Sequence, residues 1–424
     1  MDPFEESSRR PAHDPYAVLR EPNYVRYLMG GMCATVGGQV QNLAVGWELY
    51  ERTGAPSALA YVGLAQVVPV FLLAIPAGQA ADRYSRVAQL ILAATMRLLA
   101  ALGLLALSLT RGPVAWTYAC LAVGGVGVAL SMPARWSLLQ QVVPRDQVTS
   151  AVTWNSTTWQ VAAMVGPSLG GAIIALTRGA AAAYAFDAAC SVLMIALTAG
   201  LKLRPVERVR EPLSAGSLAA GVRFVFRTEL ILATITLDLF AVLLGGATAL
   251  LPVYAKDVLH VGPTGLGWLR AAPSVGAFVT ALFLAHRPPM RRAGRSLLWS
   301  VAGFGAATIV FGFSTDPYLS FAMLALTGAF DNVSVVVRQT LVQVLTPDSM
   351  RGRVSAVNAI FIGSSNQLGE FESGMVAEWF GPVAAVVGGG VGTVLVVLGV
   401  AALWPGVLRL GSLHEVPRAE AEGA

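Results

Sequence analysis

Residues 78–86 read GQAADRYSR, a stretch set between two apolar runs near 58–80 and 88–110. It gathers one acid and two arginines, Asp82, Arg83 and Arg86, in a break too short to link two domains. Each flanking run reaches the ~20 residues that a helix needs to cross a ~30 Å hydrocarbon layer. The stretch therefore reads as a tight polar turn joining two membrane-crossing helices on one side of a membrane. Gly78 allows those helices to approach closely, and an acid beside the start of the second is favoured by that helix's positive end. A short turn holding an acid and paired arginines suits a latch made in one conformational state better than a plain topology-setting loop.

The same alternation of apolar run and short charged break fills the chain. Of its 424 residues 55% are hydrophobic and 12% are charged, where soluble proteins carry roughly 25% charge. A soluble enzyme, a DNA-binding domain and a disordered protein are excluded, and an all-α membrane protein is expected. Twelve spans are read between the breaks, near 28–50, 58–80, 88–110, 115–136, 150–177, 180–201, 231–254, 264–285, 296–314, 318–338, 354–379 and 383–406. Residues before Tyr24 include Glu5, Glu6, Arg9, Arg10 and Asp14 and show no cleavable signal pattern, so the first span is expected to persist in the mature chain.

Basic residues set the orientation. The side carrying the N-terminus receives 23 Arg and Lys, and the opposite side receives four, Arg52, Arg111, Arg178 and Lys256. By the positive-inside rule both termini are cytoplasmic. The net charge of +5 is thus a topology signal, and no nucleic-acid partner is expected. Cys33, Cys120 and Cys190 each lie inside an apolar run, which reads as packing and not as a disulfide framework. His13, His260, His286 and His414 fall in loops or tails, so no metal site is expected. The chain has no P-loop pattern, and neither lysine, Lys202 or Lys256, follows a glycine-rich loop. ATP, a cofactor and catalysis are therefore not expected.

The one long hydrophilic interruption, Lys202 to Glu229, separates six spans from six. The expected organisation is a cytoplasmic tail 1–23, a six-helix bundle 24–201, a linker 202–229, a second bundle 230–408 and a tail 409–424. Within the linker, SLAAGVRFVFRTEL forms an amphipathic helix with Arg223 and Arg227 on one face, expected at the inner membrane surface. Shifting the sequence by 203 aligns Arg135 with Arg338, Leu138 with Leu341, Gln140 with Gln343 and Pro144 with Pro347. The same shift aligns Asn155 with Asn358, Gly166 with Gly369 and Gly171 with Gly374. Parallel repeats of this kind describe the two halves of a transporter with a site near the membrane midplane.

At this point a family resemblance becomes specific. GQAADRYSR resembles the signature loop of the major facilitator superfamily, G-x-x-x-D-R-x-x-R, and GPSLGG (166–171) is similar to the glycine-proline motif of its antiporters. VGWELYERTGAPSALAYVGLAQVVP (45–69), PARWSLLQQVVPRDQVTSAVTWN (133–155) and RGRVSAVNAIF (351–361) look like the bacterial branch containing enterobactin exporters and transmembrane secretion effectors. The resemblance runs from about Tyr24 to Leu408. It implies two pseudo-symmetric six-helix bundles, with spans 1, 4, 7 and 10 around a central cavity. It further implies a gating latch of Gly78, Asp82, Arg83 and Arg86 in which Asp82 pairs with Arg135, with Arg338 as the second-half equivalent of Arg135. Gly166, Pro167, Gly170 and Gly171 would form the fifth-span motif. The second-half counterparts depart from both patterns: HRPPMRRAGR (286–295) lacks the acid, and GEFESG (369–374) has Glu370 in place of the proline.

Ionisable side chains at mid-membrane cost ~2.5–3.5 kcal/mol on insertion scales and are functional candidates by default. Here they are Glu48, Arg97, Asp187, Asp238, Arg270, Asp331, Glu370 and Glu372. Glu48 and Asp187 stand near outer ends of their spans and read as interfacial; Arg97 reads either as a snorkelling residue or as a functional one. Asp238 and Asp331 lie at similar depth, ~10–12 Å from the inner surface at 1.5 Å per residue. Asp331 and Arg338 share a face at i, i+7, which compensates part of the charge locally; the two acids read either as cavity or coupling acids or as an ion pair holding helices together, with Arg270 as a further partner. Proton-coupling candidates are Asp238, Asp331, Glu370, Glu372 and Glu48. Cavity candidates are Thr35, Gln39 and Asn42, which share a face of the first span, with Asn155, Trp159, Arg270 and Asn358; Trp47 and Trp154 are further aromatics that would flank a bulky ligand.

The reading that results is a monomeric secondary exporter in a bacterial inner membrane, moving a small amphipathic molecule such as a siderophore or drug by alternating access, coupled to a proton or another ion. Two alternatives stand beside it: a lysophospholipid or lipid flippase of the same fold, which requires a laterally open cavity, and a non-transporting assembly factor.

Overall fold

The computed structural model describes residues 14, 16–201, 215–287, 290, 292–347 and 350–411, and it stops at the backbone for Ile75, residues 81–83, Trp136, Gln140, Arg145, residues 215–219, Ala356, Ala359, Ile360 and Ser364. The first half contains α1 (Pro22–Thr53), α2 (Pro56–Arg83), α3 (Arg86–Thr110), α4 (Val114–Val142), α5 (Val148–Thr177) and α6 (Ala181–Ala199). After α7 (Ala215–Arg227) the second half contains α8 (Glu229–Leu244), α9 (Gly262–Ala285), α10 (Ala293–Phe313), α11 (Pro317–Leu345), α12 (Arg351–Phe380), α13 (Pro382–Leu403) and the short α14 (Pro405–Arg409). Prolines open α1, α2, α9, α11 and α13, where a missing N–H costs nothing. Ser85 caps α3 and Asp316 caps α11 with side-chain oxygens.

Ten helices among the described residues are long and apolar enough to cross a membrane. The two long helices outside that set, α1 and α12, carry carboxamides and hydroxyls that face a cavity instead of lipid, so the expectation of twelve spans holds. The seventh crossing differs from the expected unbroken helix at 231–254. It stops at Gly245, passes through a 3-10 turn at Ala247–Leu250 and resumes over 251–258. Gly245, Gly246 and Pro252 explain the break, because glycine pairs and proline interrupt the helical hydrogen-bond ladder.

The internal repeat is present in three dimensions. In the first half α1 packs on α5 and α6, α2 on α4, and α3 on α4 and α6; each pair has its second-half counterpart among α8–α13. Gly166 closes on α1 at Gln39, and Gly369 closes on α8 at the Val242 and Leu243 carbonyls. A Cβ on Gly125 would stand 3.3 Å from Pro69 of α2, and Gly328, 203 residues later, meets Pro273 of α9 in the same way.

Two seams join the halves, α5 against α9 and α2 against α12. At the first, the Cα of Gly267 is 3.1 Å from where a Gly171 Cβ would lie; at the second, Gly374 meets Ala60 at 3.0 Å. Small residues let helix backbones approach this closely. The largest buried cluster draws on both halves, including Leu49, Leu59, Ile174, Leu250, Leu266 and Ala377, and lies at the face opposite the N-terminus, the far face. At the near face, which carries the N-terminal residues of α1, the buried clusters each belong to one half. The halves are thus closed on each other at the far face and separate at the near face. The amphipathic helix α7 docks on the near end of the second half through Val225, packed with Ile231, Val342, Val354 and Val357, while Arg223 and Arg227 are exposed. Residues 202–214 of the linker and the outer parts of both tails lie outside the described residues.

Candidate functional site

A cavity of about 580 Å³ lies in the first half against α12, walled by α1, α2 and α4 with Arg97 and Ala100 from α3 and Gly363 and Gln367 from α12. The i, i+4, i+7 spacing of Thr35, Gln39 and Asn42 places all three on the α1 face that lines it. Gln66 of α2 donates to the Asn42 carbonyl oxygen at 3.2 Å and ties the two helices at that depth. Apolar walls come from Val67, Val70, Phe71, Leu121 and Met132, and the cavity runs from Asn42 toward Gly78 and Pro133 at the near face.

Arg97 and Asp187 form an ion pair of 3.2 Å between α3 and α6, and Arg97 also donates to the Ala34 carbonyl at 2.8 Å. Asp187 is 1% exposed. It lies beside Gly37 of α1, well inside the helices, so its expected interfacial position is corrected, and so is snorkelling of Arg97. Burial in apolar surroundings explains the pairing, since a lone ion there carries a large desolvation penalty.

In the second half Arg338 of α11 is paired with Asp238 of α8, and its other nitrogen lies 4.0 Å from Asp331. Asp331 keeps 48% of its side chain exposed, whereas Asp238 is at 8%. Arg338, and not Arg270, is the cation that both acids share. Arg135, the first-half equivalent of Arg338, lies over Gly31 of α1, and Tyr27 donates to its carbonyl at 3.1 Å. Arg86 donates to the Ser137 carbonyl of α4 at 3.2 Å. The side chains of Asp82 and Arg83 lie outside the described residues, and so does the expected pairing of Asp82 with Arg135. The backbone puts both in the last turn of α2, with Ser85 and not the acid opening α3.

A smaller chamber of about 80 Å³ adjoins the cavity and shares Asn42, Gln66 and Gln367 with it; Arg270 and Glu370 line its other side. Arg270 donates to the Thr248 carbonyl at 3.0 Å. That carbonyl belongs to the turn that interrupts the seventh crossing, where a freed backbone acceptor needs a donor in place of water. Glu372 accepts from Ser373 at 3.4 Å and does not line either space, in keeping with its different helix face.

Other candidates stand elsewhere. Glu48 accepts from Tyr184 at 2.8 Å and pairs with Arg52 at 3.7 Å, at the sealed far end of α1. Trp159 is 57% exposed, and it, Asn155 and Asn358 do not line either of these two spaces. Trp154 stacks on Tyr16 at 5.8 Å, and Trp47 packs on the far-face core. The GPSLGG motif sits where α5 meets both α1 and α9: Gly166 and Gly170 face α1, and Gly171 faces Gly267.

Sequence reasoning missed the contacts that close the far face. Tyr50 at the end of α1 donates to Asp257 across the halves, with Lys256 5.4 Å over its ring. Glu378 of α12 accepts from the Ser57 N–H at 3.0 Å, at the positive end of α2. It also missed Gln41, Gln66 and Gln367 on the cavity wall; glutamines spaced along otherwise apolar spans were the available signal.

Two repeated six-helix halves, joined along α2/α12 and α5/α9 and holding a cavity of mixed polar and apolar lining, define a membrane transporter of the major facilitator type. Residues 13–415 match the model of the transmembrane secretion effector family, and the chain belongs to it. It is 27% identical over 367 residues to the multidrug efflux pump Tap of Mycolicibacterium fortuitum, covering 83% of this chain and 88% of that protein. It is 28% identical over 322 residues to the enterobactin exporter EntS of Citrobacter koseri, covering 75% and 76%. Its fold is similar to the crystal structure of the nucleoside transporter NupG, with a TM-score of 0.71 at 12% identity over 90% of this chain and 99% of that one.

Proposed function

We propose that this chain is a proton-coupled exporter of a small amphipathic molecule, acting as a monomer in a bacterial inner membrane with both termini in the cytoplasm. One observation carries the reading: the cavity reaches toward the basic, terminus-bearing face, while the far face is sealed by contacts between the halves. An exporter loads from the cytoplasm in this state. Rocking of the halves then breaks Tyr50–Asp257 and Glu378–Ser57 and opens the far side. The names of the relatives, a drug pump and a siderophore exporter, support export as the direction.

Coupling is assigned to Asp331. With all groups ionised, Asp238, Asp331 and Arg338 carry one net negative charge around a single guanidinium. One proton on Asp331 leaves a matched Asp238–Arg338 pair, and matched charge is the arrangement tolerated in an apolar interior. The half-exposed carboxylate of Asp331 is also the one a proton can reach.

The test is transport by the full chain in proteoliposomes, using ligands first found by thermal shift in a panel of siderophores, antibiotics and lysolipids. A pH gradient is expected to accelerate flux. Equal flux with and without it would remove the proton from the reading, and a response to lysolipids alone would replace the exporter by the flippase.

A further inference from the structure

The cavity wall holds one charged side chain among the described residues, and it is a cation. Arg97 lines the space, whereas no Asp, Glu or Lys does. Its counter-ion Asp187 stands behind it and is not part of the wall. Both of Arg97's contacts, to Asp187 Oδ1 and the Ala34 carbonyl, use Nη2. The N–H groups on Nη1 and Nε have no hydrogen-bond partner among the described residues. The side chain reaches the cavity through a gap left by two glycines. A Cβ on Gly38 of α1 would stand 3.0 Å from Nη2, and one on Gly127 of α4 would stand 3.0 Å from Cγ. Everything else polar on the wall is uncharged: Thr35, Gln39, Gln41, Asn42, Gln66 and Gln367.

We propose that this cavity takes uncharged or acidic amphipaths and rejects organic cations, with Arg97 as the specificity-determining residue. The inference rests on the transport reading above and names its substrate class. An anionic or acceptor-rich group docks on the free edge of the guanidinium, where charge-assisted hydrogen bonds are the stronger kind. Hydroxyl or amide groups of the ligand meet the carboxamides, and its apolar body lies on Val67, Val70 and Phe71. An organic cation entering the same space gives up water, finds no carboxylate on the wall and faces a like charge. Discrimination thus comes as much from what the wall lacks as from what it offers.

The experiment compares two dyes sharing a xanthene ring system, fluorescein as the anion and rhodamine 6G as the cation. Binding to the purified full-length protein is followed by fluorescence anisotropy, and transport is followed in proteoliposomes. Fluorescein is expected to bind at least ten-fold more tightly than rhodamine 6G. Arg97→Gln combined with Asp187→Asn removes both charges without leaving an orphan ion, and it should cost at least ten-fold in fluorescein affinity while leaving rhodamine 6G binding at least as tight as in wild type. If that double variant does not fold, Gly38→Ala, which crowds Nη2 at constant charge, carries the test through weakened fluorescein binding. Equal or tighter binding of rhodamine 6G, or unchanged fluorescein affinity in the variants, overturns the proposal. Transport of rhodamine 6G leaves the transport reading standing and sinks the substrate class alone. Binding and transport of neither dye, with no ligand from the wider panel, sink both.

Discussion

Arg338 of α11 is ion-paired with Asp238 of α8, a charged contact set among the apolar side chains that these two helices bury. The pair is nearly buried at both ends, and the second acid, Asp331, stands 4.0 Å away with its carboxylate half exposed. On the proposed coupling the two acids carry different work: one neutralises a buried guanidinium and the other exchanges the proton.

That division predicts different phenotypes. Removing one partner of a buried pair costs about 3–5 kcal/mol because a charge is left uncompensated. Asp238→Ala is therefore expected to lower thermal stability in detergent, toward the small end of that range because Asp331 is close enough to substitute. Asp331→Asn should leave the melting temperature near wild type but abolish the gradient dependence of efflux. Gradient-dependent transport of normal rate in Asp331→Asn would move the coupling role elsewhere.

The contacts sealing the far face predict a shift in conformational balance. Tyr50→Phe removes the donor to Asp257, and Glu378→Ala removes the acceptor of the Ser57 N–H at the start of α2. Each hydrogen bond contributes on the order of 1 kcal/mol, so losing both changes the ratio of states by roughly ten-fold or more. A cysteine at Leu59, 5% exposed in the far-face core, should react faster with an impermeant maleimide in the double variant, in a background with Cys33, Cys120 and Cys190 replaced. An unchanged labelling rate would show that these contacts do not hold the face shut.

Much of this arrangement was legible in the sequence, for reasons that particular residues make clear. The shift of 203 that paired Gly166 with Gly369 and Gly171 with Gly374 works because the same helix contacts recur, and a glycine at a close approach cannot be exchanged freely. Thr35, Gln39 and Asn42 were legible because helical spacing alone puts them on one face. Which helix that face meets is a different matter. Asp238 and Arg338 are a hundred residues apart, as are Tyr50 and Asp257 twice over, and no local spacing reports such partners. The start of the sixth span was read within a residue of Ala181, yet Asp187 lies buried because Arg97 of α3 meets it, and no spacing along α6 reports that partner.

The seam at Gly171 gives a steric prediction with a built-in control. Gly171 and Gly267 meet backbone to backbone, so a methyl on either must push α5 from α9. Gly171→Ala and Gly267→Ala should each reduce transport, and the double variant should be less than additive because both act on one contact. Gly399→Ala in α13, where nothing lies within 4 Å of the added carbon, should be neutral or stabilising by up to ~1 kcal/mol, as alanine is the better helix former. Equal losses at all three positions would point to general helix packing and away from the seam.

Arg270 and Glu370 provide the last test, because the arginine serves two neighbours at once. It satisfies the Thr248 carbonyl in the interrupted seventh crossing and lines a chamber with Glu370. Arg270→Leu should therefore destabilise on two counts, an unsatisfied carbonyl costing ~1–3 kcal/mol and an acid left without a neighbouring cation. Adding Glu370→Gln should recover the second part and leave the first, so the double variant melts between the single Arg270 variant and wild type. Complete recovery would mean that the carbonyl needs no donor and that the break at Gly245–Gly246 is held by packing alone. No recovery would mean that Glu370 and Arg270 are energetically independent, and that this chamber stores no charge coupling for the transport cycle to use.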